Sequence, residues 1–153
     1  MFGFVNPPSK GSVVIHRDIE GVFDYLASPR LVGKIMRIAE DETIGLGAAA
    51  EQTHKFGPIE AGSRVEVTEF ERPWKISLRA TGVPKKKGQR VMPPMDFTYE
   101  LRSAPGGTRL TETHRQHAGI VVLPLAILSA PVISWAIRRG LRRLKAEIED
   151  ELH

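Results

Sequence analysis

The chain contains no cysteine, which removes disulfide cross-links, thiolate catalysis and cysteine-ligated metal sites together. It has no HExxH stretch, no paired-carboxylate motif and no other ligand spacing, so neither a metal nor a cofactor is expected. No serine or threonine is set beside a base as an activated nucleophile. Aromatics are sparse, with six Phe, two Trp and two Tyr among 153 residues, and none is interleaved with the lysines of "PKKKGQR" (84–90). That leaves single-stranded nucleic acid without its stacking platform. Charge of one sign is also lacking: 22 basic against 18 acidic residues is too slight an excess to argue for an anionic partner. The opening "MFGFVNPPSKGS" has no charged start, no long apolar run and no small-residue cleavage site, which makes cytoplasmic residence the default expectation.

The length suits one domain spanning 1–153, with its core over 11–150, and is large enough to hold a ligand cavity. "GSVVIHR" (11–17) is a β-branched run and predicts a strand. In "DIEGVFDYLASP", Asp18 is placed to cap a helix, with Ile19, Val22, Phe23 and Leu26 on one face. Pro29 ends that helix and introduces a second short one, "RLVGKIM". From 38 to 117 the period changes to two, and six strands are predicted at about 38–44, 49–57, 62–72, 74–82, 94–103 and 106–117. The segments between them are turn-formers: "GLG", "GPIEAG", "ERP", "GVPKKKGQR" and "APGG". One face of each strand is apolar and the other polar, as in an antiparallel sheet with one solvated side. From 132 to 152 helical spacing returns, with Ile133, Ile137, Leu141, Leu144, Ile148 and Leu152 on one stripe. Its acidic end, Glu147 to Glu151, opposes the helix dipole, so packing of the stripe must hold it.

One long apolar run is present: "AGIVVLPLAILSAPVISWAI" (118–137), followed directly by "RRGLRRLK". By length it matches a membrane span with a basic flank. Three features favour the core instead. Pro124 and Pro131 each remove a backbone donor, the strands need a cover, and the apolar stripe continues past the arginines to Leu152. The segment is expected to form a loop and short helix, bent by its prolines, that closes one end of a cavity and leads into the long helix.

Three stretches resemble the START-like superfamily, in particular its polyketide cyclase/dehydrase and lipid-transport group: "VVIHRDIEGVFDYLASP", "GSRVEVTEFERPWKISLRATG" and "YELRSAPGGTRLTETH". The resemblance covers nearly the whole chain. It implies an α+β helix-grip fold: a seven-stranded antiparallel sheet wrapped around a long C-terminal helix, two short helices after the first strand, and an apolar cavity. A frequent Trp after the second short helix is replaced here by "VGKIMRIAE". The implied function is binding or transport of a lipid-, polyketide- or isoprenoid-like molecule. The alternatives are a polyketide cyclase or dehydrase, and a membrane-proximal module held by 118–137.

Strand parity supplies candidate residues. Leu110 should face the helix, and Glu112 and His114 share its parity; a carboxylate and an imidazole there would polarise a carbonyl or move a proton. The alternative is a twist or bulge that solvates both. Gln52 and His54 share a face with Phe56, as polar points in an apolar pocket or at a solvated strand edge. His16 and His117 show no partner spacing. The expected ligand wall comprises Phe23, Met36, Phe56, Val67, Leu78, Met95, Phe97, Tyr99, Leu110, Leu123, Ile133, Trp135 and Ile137. Met36, Met92 and Met95 are the adaptable members. Lys85, Lys86 and Lys87 suit an acidic carrier or an anionic lipid surface near the cavity entrance, or form a solvated hairpin loop.

Overall fold

Alternating polarity from Ala49 onward yields five consecutive strands: β2 (Ala49–Phe56), β3 (Ile59–Glu71), β4 (Lys75–Val83), β5 (Met95–Ala104) and β6 (Gly107–Gln116). The structure is a computed structural model and describes residues 8–28, 44–91, 93–117 and 123–152; for Phe56 and 123–129 it describes the backbone alone. Each strand pairs antiparallel with the next, and β1 (Ser9–Ile15) closes the far edge against β6, giving the order β1-β6-β5-β4-β3-β2. Among the described residues the sheet therefore has six strands rather than seven. The strand predicted at 38–44 falls outside the described residues apart from Ile44, as do the second short helix and Met36.

Turn chemistry fixes the registers. Phe56 pairs with Ile59, leaving Gly57 (φ 63°) and Pro58 as a two-residue hairpin loop with glycine where a positive φ is needed. The turn is thus tighter than "GPIEAG" suggested, because Ile59 to Gly62 continue the ladder. At the other hairpin Ala104 pairs with Gly107 around Pro105 and Gly106 (φ 83°), the residue pattern of a type II turn.

Helix α1 (Ile19–Ala27) begins as its sequence predicts: the Asp18 carboxylate accepts from the Gly21 N–H at 3.1 Å. It buries Val22, Phe23, Tyr25 and Leu26. Helix α2 (Leu123–Glu151) is continuous, with Pro131 inside it, where a loop and separate short helix were expected. Pro124 lies in the first turn, where a missing donor has no cost, and the chain remains helical across Pro131. No helix among the described residues is long and apolar enough to cross a membrane.

Ile137, Leu141, Leu144 and Ile148 of α2 are buried in one cluster with Ile15, Phe23, Val67, Leu78, Leu101 and Leu110. Close approach of α2 to β1 depends on Gly11, where a Cβ would lie 2.8 Å from Ile137 Cγ2 and 3.3 Å from the Arg138 backbone nitrogen.

The acidic C-terminal end of α2 is held by more than its apolar stripe. The Arg17 guanidinium donates to the Glu149 and Leu152 carbonyl oxygens, placing a cation where the helix dipole is negative. The Glu149 carboxylate accepts from the His16 N–H at 2.9 Å, and Lys145 Nζ donates to the Val14 carbonyl at 2.8 Å. That His16 N–H is also the largest cause holding the Glu149 carboxyl below its ordinary pKa. Arg17→Met is expected to lower stability by about 1.5–3 kcal/mol, from loss of charged hydrogen bonds to partly buried carbonyls. This corresponds to a melting temperature about 3–12 °C lower. Arg17→Lys should restore little of it, since an ammonium cannot fork between two carbonyls. Thermal denaturation of the two variants checks both statements.

Candidate functional site

The concave face of the sheet carries Ala50, Gln52 and His54 on β2, Ala61, Ser63, Val65 and Val67 on β3, and Ile76, Leu78 and Ala80 on β4. It continues with Met95, Phe97, Tyr99 and Leu101 on β5 and Leu110, Glu112 and His114 on β6. This grouping follows from the cross-strand partners, Gln52↔Ser63, Val65↔Ala80, Leu78↔Phe97 and Tyr99↔Glu112 among them. Along this face the packing changes. Near α1 it is filled: Val67, Ile76, Leu101 and Leu110 are each 0% exposed. Toward the other end, where β3 and β5 begin and β4 ends, the side chains shrink to Ala61, Ser63, Ala80 and Gly82, and a cavity of about 260 Å³ opens.

Its described wall is mostly apolar: Ala61, Ala80, Val83, Val91, Pro93, Met95 and Phe97, with His54, Ser63, Thr81, Gln89 and Arg90 as the polar members. The loop between β4 and β5 forms one side, and Gln89 fastens it. The Gln89 side-chain amide donates to the Glu60 carbonyl at 2.8 Å, while its carbonyl oxygen accepts from the Lys85 N–H at 2.7 Å. Lys85, Lys86 and Lys87 are exposed in that loop, and the Lys85 stem reaches over Gly62. His54 Nε2 lies 3.3 Å from Ser63 Oγ across the hairpin.

A polar cluster adjoins the cavity behind Phe97. His114 Nε2 and Glu112 Oε1 are 2.9 Å apart, with side chains 24% and 15% exposed, so a partly buried carboxylate is matched to an imidazole. The Tyr99 hydroxyl, hydrogen-bonded to Glu112, has its pKa pushed up, first by burial and then by the Glu112 charge. It stays protonated and donates a hydrogen bond to Glu112. The Phe97 ring packs edge-on against His114, with centroids 4.7 Å apart. Chemically the cluster offers one acceptor–donor point at the rim of an apolar space.

Met95 and Phe97, expected in the ligand wall, line the cavity. Phe23, Val67, Leu78, Leu110 and Ile137 do not; they belong to the packed core, between 0% and 4% exposed. Parity identifies the inner face but not which end of it is filled. Ile133 and Trp135 are 37% and 55% exposed. Trp135 lies two residues, about 200° of helical rotation, from buried Ile137, which points it away from the sheet. Met36 and the side chains of Phe56 and Leu123 fall outside the described residues. No local pattern marks the wall formed by Gln89, Arg90, Val91 and Pro93, because contact between that loop and β3 depends on tertiary register.

On the outer face His117, which showed no partner spacing in the sequence, lies 2.6 Å from Asp96 through its Nε2, beside a two-point Arg79–Asp96 pair. Burial raises the Asp96 pKa, but the hydrogen bonds from Arg79 and His117 outweigh it and hold the carboxyl below its ordinary range. These contacts tie β4, β5 and the residue after β6 together.

Neither a family model nor a curated protein sequence matches the chain. Solved structures do. An uncharacterized protein from Rhizobium leguminosarum superposes with a TM-score of 0.61 at 14% identity, over 99% of this chain and all of that one. Ara h 8.0201 gives 0.58 at 12% identity, over 97% of this chain and 100% of its own. DynU16, from the dynemicin biosynthetic locus, gives 0.53 at 17% identity, over 88% of this chain and 47% of its own. At such identities the likeness establishes the fold alone: an α+β, helix-grip, Bet v1-like architecture with a single antiparallel sheet and a long C-terminal helix.

Proposed function

We propose that this protein binds and carries a hydrophobic small molecule, lipid-, polyketide- or isoprenoid-like, in the cavity at the open end of its sheet. The observation that carries this reading is the 260 Å³ space itself. Its described wall is largely apolar, and a well-packed fold would ordinarily fill such a volume. A ligand there gains about 0.8 kcal/mol for each methylene withdrawn from water. The fold of Ara h 8.0201 and DynU16 is compatible with such a cavity and adds nothing about its contents.

Native mass spectrometry of the gently purified protein tests the reading. A co-purifying lipid-like mass, or stoichiometric uptake of an added apolar ligand, is expected. A bare protein mass under both conditions overturns it.

A second reading is catalytic and rests on the 2.9 Å Glu112–His114 contact. A carboxylate that orients an imidazole is the usual arrangement for moving a proton to or from a carbonyl substrate, as a polyketide cyclase or dehydrase requires. Turnover of a test polyketone that disappears in His114→Ala favours this reading; uptake without turnover favours carriage.

A further inference from the structure

We propose that the outer face of α2 docks on the surface of an anionic phospholipid bilayer. Ile137 packs over Gly11, the third residue of β1. The helix extends 14 residues N-terminal to that contact (137 − 123), about 21 Å at 1.5 Å per residue. Only two residues of β1 precede Gly11, about 7 Å of strand. The helix therefore runs past the end of the edge strand β1, toward the end of the sheet where the cavity opens.

The outer face of this stretch exposes apolar surface. Val132 is 66% and Trp135 55% exposed, and the two lie three residues apart on the side opposite buried Ile137 and Leu141. Arg139, Arg142 and Arg143 continue the same stripe, all exposed. Arg139 sits 5.4 Å over the Trp135 ring. Among the described residues none of the three arginines has an ion pair, and from Leu123 to Ala146 the helix contains no acidic residue. The stripe thus runs from apolar, through an indole at the boundary, to unneutralised cations.

One face with this composition suits a helix lying in the plane of a membrane interface, where Val132 and Trp135 enter the headgroup boundary and the long arginine stems carry their guanidinium groups to lipid phosphates. A protein partner would need an apolar patch joined to an acidic one in matching register, whereas an anionic leaflet offers both at every point. The helix lies on the membrane and does not cross it. The exposed lysines of the β4–β5 loop are at the same end of the sheet, so docking would bring the cavity end toward the lipid.

Vesicle co-sedimentation of the full chain tests this without any cavity ligand, so it fails or succeeds separately from the carrier reading. Vesicles of phosphatidylcholine alone are compared with vesicles containing about a third phosphatidylglycerol. Binding to the anionic vesicles only is expected, with a blue shift of Trp135 emission read in a Trp74→Phe background. Raising the salt from 0.1 to 0.5 M should release the protein. Arg142→Gln and Arg143→Gln should each weaken binding about fivefold, as expected for one cation near an anionic surface, and Trp135→Ser by more. All three are exposed positions, and circular dichroism verifies that the variants fold. Three results overturn the proposal: no binding to anionic vesicles, equal binding by the variants, or a lipid-free dimer that Trp135→Ser dissociates.

Discussion

Gly107→Ala is expected to destabilise the fold by about 3 kcal/mol or more, a large share of the roughly 5–15 kcal/mol that holds a domain together. A methyl group at Gly107 would overlap the Ile15 carbonyl oxygen, lie 2.9 Å from the Ile15 carbonyl carbon and 3.0 Å from His16 Cα. All three are backbone atoms, so no side-chain rotation relieves the overlap. The same junction carries other ties. The Arg17 N–H donates to the Ile15 carbonyl, and Thr108, fully buried, donates to the Arg17 carbonyl at 2.9 Å. Displacing the end of β1 would also draw Arg17 away from the end of α2. Gly45 is the contrasting site, with nothing within 4 Å of an added Cβ; Gly45→Ala should stay within about 0.5 kcal/mol of the parent. Denaturant titration separates the two variants, and an unchanged slope would show that stability alone has moved. A Gly107→Ala midpoint close to that of Gly45→Ala would mean that the β1–α1 junction yields easily.

Why one half of the architecture is readable from residues and the other is not follows from the range of the forces involved. Val65, Val67, Leu78, Tyr99 and Leu110 announce their face because a strand alternates with period two wherever one side meets a core. The same arithmetic placed Glu112 and His114 inward, and the structure brings them together. Asp18 was legible because a cap acts three residues away. Arg17 was not: its acceptors are more than 130 residues further along the chain, and no local pattern marks an arginine that will meet a distant helix end. The position of the cavity is not legible for a related reason. Its position depends on where large side chains stop, at Ala61, Ser63, Ala80 and Gly82, and on how the β4–β5 loop folds back through Gln89. Small residues and a polar loop read locally as weak strand and turn. Trp135 was assigned inward on aromatic character, although its helical phase relative to Ile137 already placed it on the opposite side.

Ala80→Trp should abolish most uptake of an apolar ligand while leaving the fold intact. Ala80 faces the cavity from the middle of the sheet, between Val65 on β3 and Met95 on β4's other neighbour, β5. An indole there extends into empty space, so the cost of overpacking is small compared with the same change at Leu78 or Ile76, which are 1% and 0% exposed. If the new ring excludes three methylenes of the ligand, about 2.4 kcal/mol of transfer free energy is lost, close to fiftyfold in affinity. Titration of an apolar fluorescent probe measures this directly, with thermal denaturation as the check on folding. His114→Ala supplies the complementary measurement, because the imidazole adjoins the cavity through Phe97 and is paired with Glu112. A ligand with a hydroxyl or carbonyl at that end should lose affinity in His114→Ala, while a pure hydrocarbon of the same length should not. Ala80→Trp must weaken both. Should Ala80→Trp bind either ligand as tightly as the parent, the occupied space lies elsewhere in the molecule.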